Sequence, residues 1–558
     1  MFKKFENTLL AILMHQNKKR MVLILTILAF ILSVLMIPTE LVLAKMLPGK
    51  NSNTFTIYID LPTGSSISQT SKVSECVVEV LHQEKELLDI EVFLGMGSPL
   101  DFAGLIKGSH FKNAEHLAEV VLNLRAKHHR NEPSYKMVQR LRPIIKQRCE
   151  SMYEKTNIKF VEPPAGPPVM AAIVAEVYGN DAQGIRTLAL EVQNIFKQID
   201  GLVDIDIMQD EIYDSFEVRV DSIKIARSGL NVKQVNDILY LAFEGMEIAV
   251  KNSEVYDDQI PLFLTLSNET KMFSTKDKHA INAKLASLKL MNTMGMMVPL
   301  TEVITLVPVK SNPMILSKNL HQMTNVMAET DMLSQVYPLM DARKIIINTL
   351  KDSYDIKKIG LFNLELTHKK SKKIYKLIWD GEMEVTLDTF VELGAAFIAA
   401  LILIFLLMVI YYKSFKLSGI VLLGSFLSII GVITGHFIMD LFSSETFFLT
   451  ATSLIGFISL IGISSRNSLL LLDFSKSLML DKKMPQKEAI AYASATRAKP
   501  IFLTAVAIIL ASSLLASDAV FGGLGVSLIF GTLAAVIASL LVVPVLMDSV
   551  DLKDEFEQ

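Results

Sequence analysis

The chain has 558 residues, of which 51% are hydrophobic and 20% charged, and its formal net charge at pH 7 is −3. Its mean hydropathy of +0.39 is well above that of an ordinary soluble protein. The near-neutral balance of charge gives no reason to expect a nucleic-acid partner. Composition therefore points to a membrane protein.

Hydrophobic runs long enough to cross about 30 Å of hydrocarbon occur six times along the chain. They lie near residues 21–43, 390–412, 417–439, 449–474, 500–521 and 524–547. The first run lacks a small-residue cleavage site and continues through Pro38 and Glu40, so it does not read as a signal peptide. We predict an amphipathic cytoplasmic segment at 1–20, a first span at 21–43, a five-span bundle at 390–548 and a cytoplasmic tail at 549–558.

Positive charges predict the orientation of these spans. The segment before the first run is basic, with Lys3, Lys4, Lys18, Lys19 and Arg20. The positive-inside rule then places the N-terminus in the cytoplasm. By parity the connections at 413–416 and 475–499 are also cytoplasmic, and both are basic, whereas those around 440–448 and 518–523 contain no Lys or Arg. Both termini are predicted inside, and residues 44–389 outside.

The large outer segment, 44–389, has the mixed patterning of an α+β domain. Its first part predicts strands at 54–60, 90–94, 118–124 and 158–161, with helices at 67–83 and 134–153. The order β-α-β, β-α-β is that of a ferredoxin-like split βαβ unit. After a proline-rich boundary at 163–168 the cycle restarts with a strand at 171–178, a helix at 182–199 and a strand at 203–207. Residues 217–310 are predicted to be an insertion within this second unit.

Motifs for covalent or metal chemistry are missing from the sequence. It contains no phosphate-binding loop, no His-Glu-x-x-His and no Gly-x-Ser-x-Gly, so neither an enzyme nor a cofactor is expected. The methionines at 291, 294, 296 and 297 invite a soft-metal interpretation, but their surroundings favour two plain strands around Gly295, and no metal site is predicted. His436 is expected to hydrogen-bond to a neighbouring helix. Cys76 and Cys149 are expected to be free thiols, with a disulfide as the alternative if the region is extracytoplasmic.

A charged residue inside the fourth hydrophobic run is the most informative feature. Placing an arginine near the centre of a spanning helix costs about 2.5–3.5 kcal/mol on insertion scales. Arg466 lies about 12 Å of helix rise inside Phe474, which is deep for snorkelling. The alternatives are a structural ion pair, snorkelling at an interface, or a role in an ion pathway, and we favour the last.

Further polar residues accompany Arg466. Asn467 is adjacent, and Asp473 follows one heptad later on nearly the same face. Arg497 and Thr504 have the same spacing at the start of the fifth run, with Pro500 between them as an early-turn residue. These five residues are predicted to form a proton relay, in which fixed polar groups tune a carboxylate on a nearby helix. Arg497 could instead anchor the cytoplasmic end, and for Asp473 both interpretations stay open.

Several motifs resemble the C-terminal half of a resistance-nodulation-division (RND) efflux permease of the hydrophobe/amphiphile, or acriflavin-resistance, class. They are KMLPGKNS at 45–52, VEPPAGPP at 161–168, AEVYG at 175–179, FLTATSLIG at 448–456, GISSRNSLLLLDF at 462–474, TRAKPIFLT at 496–504 and FGGLGVSLIFG at 521–531. The resemblance implies a trimeric pump of the bacterial inner membrane that exchanges protons for drugs or other amphiphiles. It implies a periplasmic porter domain with a docking insertion at 217–310. A periplasmic adaptor and an outer-membrane channel are the implied partners, and Arg466 would be the relay cation.

The chain departs from the family pattern in one important respect. A complete pump has twelve spans and two porter halves, and the acidic pair that accepts protons belongs to the half that this sequence lacks. We therefore expect a half-subunit that works with an N-terminal half on another chain. The alternatives are an accessory subunit for protein or lipid export, a non-transporting membrane sensor, and an inactive fragment of an interrupted pump gene. The substrate-binding residues stay unknown.

Overall fold

The computed structural model describes residues 2–46, 49, 51–163, 166, 169–255, 259–267, 277–331, 333–443, 446–518 and 520–557. Parts of the 45–52 and 161–168 motifs, including most of the proline-rich boundary, lie outside these residues. The chain forms two compact units, Met1–Gln209 with Ile315–Gln558, and Asp210–Met314. The insertion predicted at 217–310 falls within the second unit.

The first sheet of the larger unit contains four antiparallel strands in the order β2-β3-β1-β4. These are β1 (Thr54–Asp60), β2 (Leu87–Leu94), β3 (Leu117–Leu124) and β4 (Asn157–Val161). Helix α3 (Ile67–Leu81) connects β1 to β2, and α5 (Ser134–Arg148) connects β3 to β4, with a short α4 (Phe102–Lys107) between β2 and β3. The inward residues of β1 and β3 pack against both long helices in one buried core. The connection order is that of a split βαβ unit.

A second sheet is built from strands that precede and follow the smaller unit in the sequence. Its strands are β5 (Ile173–Gly179), β6 (Leu202–Ile207), β13 (Leu316–Lys318), β14 (His321–Thr330), β15 (Tyr354–Ile359), β16 (Asn363–His368) and β17 (Ile374–Asp380). The order is β13-β14-β5-β17-β16-β15, and β6 also pairs with β14. Helices α6 (Ala182–Phe196) and α10 (Val336–Leu350) pack on it over a core that contains Phe196 and Trp379. This sheet leads directly into the membrane bundle, because β17 is followed at once by a long helix.

The smaller unit, Asp210–Met314, is a mixed domain of short elements. Its strands are β7 (Asp214–Val220), β8 (Met246–Lys251), β9 (Ile260–Leu264), β10 (Lys289–Met291), β11 (Met297–Pro299) and β12 (Ile304–Lys310). Its helices are α7 (Ser222–Arg227), α8 (Val232–Leu239) and α9 (Lys278–Leu285). The pairs β7–β12, β8–β9 and β10–β11 are separate two-stranded ladders. The apolar residues of β7–β12 and β10–β11 share one core around Val235 and Leu300, whereas all residues of β8 and β9 are exposed.

The rest of the chain is helical. The helices are α1 (Phe2–Met14), α2 (Gln16–Leu35), α11 (Glu382–Tyr412), α12 (Phe415–Phe426), α13 (Ser428–Phe442), α14 (Ala451–Leu480), α15 (Gln486–Ala516), α16 (Gly522–Ile537), α17 (Val543–Met547) and α18 (Leu552–Glu557). A five-residue π segment, Ala538–Val542, joins α16 to α17. Within the described residues, five helical stretches are long and apolar enough to cross a membrane: 382–412, 415–442, 451–480, 486–516 and 522–547. The count of six spans stays a prediction.

The first predicted span, 21–43, is wrong at its outer end. Helix α2 ends at Leu35, and residues 36–40 form turns in which Glu40 has a φ of +61°. Pro38 explains this, because proline lacks an N–H donor and disfavours helical geometry in the residue before it. The apolar part of α2 from Met21 to Leu35 is therefore about 22 Å long, shorter than the hydrocarbon core. The helix instead begins earlier, at Gln16, within the predicted N-terminal segment.

Small residues set the helix spacing in the bundle. A Cβ added at Gly431 on α13 would lie 2.2 Å from the Phe530 carbonyl oxygen on α16, and one at Gly523 would lie 2.2 Å from Thr450 Oγ1. Close backbone approach at glycine is a common way for membrane helices to associate, because lipid supplies no hydrophobic force between them. Helix α16 is thereby held against α13 and the start of α14.

The expectation of free cysteines is wrong. Cys76 on α3 and Cys149, which follows α5 directly, form a disulfide with a Cα–Cα separation of 5.7 Å. Both residues belong to the core of the first sheet, because α3 and α5 lie on the same side of it. The 73-residue spacing carries no sign of this proximity, which is a property of the βαβ fold. The disulfide agrees with the extracytoplasmic alternative, because such bonds persist in oxidising compartments.

Candidate functional site in the membrane bundle

Arg466 lies at the midpoint of α14. It is 15 residues from Ala451 and 14 from Leu480, about 21–22 Å of rise from either end. An arginine side chain cannot bridge that distance to reach water by snorkelling along its own helix. Helix α14 also extends six residues beyond Phe474, into the basic 475–499 segment.

The Arg466 side chain is exposed on the outside of the bundle. It belongs to a continuous stripe of exposed residues at helical spacing, Ile455, Ser459, Gly462, Arg466, Leu470 and Ser477. The opposite face of α14 is buried against its neighbours. We call this exposed face the α14 stripe. Among the described residues none forms a hydrogen bond or an ion pair with Arg466.

Asn467 points the other way. Its side chain is buried inside the bundle, next to Ser464 and Ser468, which also face inward. The Ser464 hydroxyl donates to the Gly424 carbonyl of α12 over 3.3 Å, and Ser468 packs against the same glycine. Asn467 and Arg466 are adjacent in sequence but lie on different faces, so Asn467 belongs to the helix contact.

Asp473 has partners that the sequence did not suggest. Its carboxylate accepts hydrogen bonds from Tyr412 Oη over 2.8 Å and from Tyr411 Oη over 3.5 Å. Both tyrosines lie at the last residues of α11. Asp473 is thus tied to the end of a neighbouring helix, about 10 Å along α14 from Arg466.

Arg497 and Thr504 are separated from the other predicted relay residues. The Arg497 guanidinium lies over the ring of Phe474, 5.2 Å from its centre, and its Nε is buried without a hydrogen-bond partner among the described residues. The exposed Thr504 hydroxyl donates within its own helix, over 2.9 Å to the Ile501 carbonyl. Pro500 is not an early-turn residue, because α15 begins at Gln486 and runs through it.

The five predicted residues therefore do not converge within this chain. The structure places Arg466 alone on the α14 stripe, Asp473 with two tyrosines, Arg497 on an aromatic ring, and Thr504 and Asn467 on other faces. A membrane-buried cation needs a compensating carboxylate or water-filled cavity. The α14 stripe provides the cation and leaves room for the carboxylate to come from elsewhere.

Comparisons with known proteins identify the family of the chain. The AcrB/AcrD/AcrF family profile matches residues 2–551. The chain belongs to this family. It is a permease chain of the RND type.

Individual relatives are distant in sequence. The chain is 23% identical over 539 residues to the swarming motility protein SwrC of Bacillus subtilis (strain 168), covering 94% of this chain and 45% of SwrC. It is 23% identical to the cobalt-zinc-cadmium resistance protein CzcA of Cupriavidus metallidurans over 72% of this chain and 35% of CzcA. It is 21% identical to the multidrug resistance protein MdtC of Proteus mirabilis over 66% of this chain and 33% of MdtC.

The fold agrees with a solved RND structure. A crystal structure of a heavy metal efflux pump superposes with a TM-score of 0.71 and 18% identity, covering 97% of this chain and 51% of that pump. The permease chain thus spans about half the length of the relatives it matches. RND permeases are inner-membrane transporters that generally assemble as trimers with an adaptor and an outer-membrane channel.

The RND permease chain also contains a polar cluster that the sequence only partly predicts. His436 on α13 is fully buried, with Nδ1 2.8 Å from the Val432 carbonyl and Nε2 2.8 Å from Ser453 Oγ on α14. The expected hydrogen bond to a neighbouring helix is confirmed. Thr450, Thr452 and Ser453 complete the network at the N-terminus of α14. Both ring nitrogens have partners, so the cluster joins the two helices.

A second charged cluster lies outside the membrane helices, between the two sheets. Burial raises the pKa of Glu162 to about 7, with Glu329 adding to the effect and Arg142, Lys107 and Lys45 opposing it. Glu162 Oε1 is buried without a hydrogen-bond partner among the described residues. Nearby, Lys107 forms an ion pair with Glu329 over 2.6 Å. Burial also raises the pKa of Glu382, which interacts with the same Glu329, Lys107 and Lys45.

Proposed function

We propose that this chain is the C-terminal half of a proton-driven efflux permease and that Arg466 is its relay cation. The carboxylate that Arg466 needs comes from a six-span unit outside this sequence, either on another chain or on the same longer chain. The observation that carries the proposal is the α14 stripe: a fixed charge at the centre of a spanning helix, exposed and without an ion-pair partner among the described residues.

The physical argument is one of cost. An arginine facing lipid at the bilayer centre is unfavourable by about 2.5–3.5 kcal/mol on insertion scales, and by more in simulations. A facing carboxylate removes most of that cost while it is charged. Protonation of the carboxylate would weaken the pair, and a change in pairing is a change in helix packing. Proton binding at the facing acid can therefore bias the packing of α14 against its partner helix.

Asp473 supports a route toward the cytoplasm. It lies on nearly the same face as Arg466, two turns closer to the basic 475–499 connection, which we place in the cytoplasm by its charge. The phenol groups of Tyr411 and Tyr412 donate hydrogen bonds to its carboxylate. In this arrangement Asp473 is the last acid on the pathway, and its described hydrogen-bond partners come from α11 and not from α15.

The outer segment is proposed to be periplasmic, with both termini in the cytoplasm. The disulfide supports this placement for the first sheet. The two sheets would then be porter subdomains, and Asp210–Met314 the docking subdomain that meets an adaptor and an outer-membrane channel in a trimer. Relatives named for metal resistance and for multidrug resistance match comparably, so the amphiphile class is a proposal that rests on the sequence motifs.

The test is proton-coupled transport in inverted membrane vesicles that contain the assembled protein. A pH-sensitive dye reports the proton gradient while an amphiphilic cation, Zn²⁺ or Ag⁺ is added in parallel. We expect the amphiphile to collapse part of the gradient, and an uncoupler to stop amphiphile uptake. Uptake that does not depend on the proton gradient would reject the proton-driven mechanism. If the purified protein contains no further membrane chain or segment with an acidic residue, the proposed assembly is rejected.

A further inference from the structure

Four methionines surround one turn of the smaller unit. They are Met291, Met294, Met296 and Met297, within the seven residues that join and end β10 and β11. Their side chains are 54–69% exposed. Methionine in a hairpin normally packs against a core, and here Leu290 and Val298 already serve that purpose. The four thioethers are therefore left on the surface.

The strand register puts two of these thioethers side by side. Met291 is directly opposite Met297 in the β10–β11 ladder. Asn292 N donates to Met296 O, and Leu300 N donates to Leu288 O. The pairs 292–296 and 288–300 are therefore hydrogen-bonded, and such pairs alternate with non-hydrogen-bonded ones in an antiparallel ladder. Met291 and Met297 thus form a non-hydrogen-bonded pair, in which the Cβ atoms are about 4.5–5.5 Å apart on one face.

The turn that carries the other two methionines is held in place. Asn292 Oδ1 accepts from Met294 N over 3.0 Å and from Met296 N over 2.9 Å. The Asn292 amide also donates to the Ser228 carbonyl, which fastens the turn to the body of the unit. Gly295 supplies the left-handed residue, with a φ of +78°. The backbone positions of all four methionines are therefore fixed before any ligand arrives.

The chemistry of this hairpin is selective. Residues 288–300 contain no Asp, Glu, His or Cys, so the side chains offer sulfur and almost no hard donors. Thioethers select Cu(I) and similar soft ions, whereas Zn²⁺, Co²⁺ and Mg²⁺ prefer imidazole, thiolate or oxygen. Lys289, on the same face as Met291, further opposes a divalent cation.

We propose that the hairpin is a binding site for a soft monovalent cation, Cu(I) or Ag(I), with Met291 and Met297 as paired ligands. Met294 or Met296 supplies an additional thioether from the turn. The site uses neutral ligands that bear no proton, so its affinity does not depend on pH between 5 and 8. The site does not require that the protein transports anything.

The experiment measures Ag(I) binding to the full-length protein in detergent, with methionine methyl groups labelled for NMR and affinity measured by calorimetry. Ag(I) is used because it does not change oxidation state. We expect four methyl signals to shift, and these signals should be the ones lost or altered in M291L/M297L. Leucine conserves the side-chain volume, so the hairpin should keep its fold. Loss of both ligands should weaken Ag(I) binding by about tenfold or more. Mutation of residues that only hydrogen-bond to metal ligands already lowers metal affinity by about that factor.

A matched variant separates this site from other exposed methionines. Met152 and Met340 are also exposed, at 42% and 46%, and lie in other parts of the fold. M152L/M340L should bind Ag(I) as the wild type does. The proposal is overturned if M291L/M297L binds Ag(I) with unchanged affinity, if both double variants lose affinity equally, or if Zn²⁺ shifts the same four signals. A pH-dependent affinity would also overturn it, because histidine or cysteine would then be the ligand.

Discussion

Arg142 and Arg466 are both removed from bulk water, and the protein treats them differently. Arg142 on α5 is buried, with Nε 3.1 Å from Asp204 and one terminal nitrogen 2.7 Å from Asp331. Its guanidinium also lies over the Phe160 ring, 5.4 Å from the centre. Arg466, at the middle of a spanning helix, has no ion-pair partner among the described residues.

The contrast shows which cation is compensated within this chain. A buried charge is tolerated when opposite charges and hydrogen bonds replace its water, and Arg142 meets that condition. It lies where the first and second sheets meet, and its charge is compensated by Asp204 and Asp331. Arg466 fails the condition in this chain, although the energetic demand at mid-membrane is at least as great. The α14 stripe is therefore better explained as an interface than as a surface that contacts lipid.

The largest expected effect comes from Arg466. Arg466→Ala should abolish proton-coupled export in the assembled protein, while the thermal midpoint of the chain stays close to that of the wild type, because no described contact is lost. Arg466→Lys keeps the charge and should retain part of the transport. Export and proton flux in vesicles are the measurements, with Lys487→Ala at the start of α15 as control. Full export by the alanine variant would show that Arg466 is not part of the proton pathway.

Arg142 should show the reverse pattern. Arg142→Met leaves buried Asp204 with Lys146 as its ion-pair partner among the described residues and a hydrogen bond from Phe160 N, and should destabilise the outer domain by about 3–5 kcal/mol. Arg140 on the same helix is the matched control, because it is 43% exposed in its ion pairs with Glu84 and Glu132. Arg140→Met should cost only about 0–1 kcal/mol. Unfolding monitored by circular dichroism gives both values, and equal losses would contradict the contrast between the two sites.

The disulfide sharpens the same comparison, because it holds the helix that carries Arg142. Removing it as Cys76→Ala/Cys149→Ala should cost about 2–4 kcal/mol, chiefly by releasing the unfolded chain. A reductant should lower the thermal midpoint of the wild type to about that of the double variant. The midpoint of the double variant should not change. Insensitivity of the wild type to reductant would show that the two thiols are free in the native protein.

The smallest expected effect concerns Glu162 and pH. Its pKa is raised by burial to about 7, above the value of 4.5 for a free carboxyl, so the folded state binds the proton more tightly than the unfolded state. Stability should therefore fall as pH rises from about 4.5 to about 7. Glu162→Gln should be more stable than the wild type at pH 8 and equal to it below pH 4.5. Glu154→Gln, at an exposed position, is the control, and the same pH profile in all three proteins would contradict the assignment.

The regular elements were accessible from sequence because their signals are local. Alternation over 54–60 predicts β1, and long apolar runs predict the spanning helices, although Pro38 ends α2 earlier and Pro500 is accommodated inside α15. The depth of Arg466 was also accessible, because it depends only on position along one helix. Its lack of a partner could not be seen in the same way, since that depends on which face of α14 the other helices cover.

Most side-chain contacts could not be predicted from the sequence. Asp473 is bound by Tyr411 and Tyr412, 62 and 61 residues away in sequence, through the packing of α11 against α14. Cys76 and Cys149 meet because α3 and α5 share one side of a sheet. The sequence does contain two tyrosines at the end of a spanning helix and two cysteines at neighbouring helices. Sequence spacing alone does not show which residues these side chains contact in the folded protein.

The central claim is that the α14 stripe faces a protein helix with a carboxylate. The most direct test places a photo-activatable benzophenone side chain at position 470, one turn from Arg466 on the stripe, and irradiates native membranes. We expect cross-links to a membrane-spanning peptide that contains Asp or Glu, identified by mass spectrometry. Adducts to lipid alone at position 470 would contradict it.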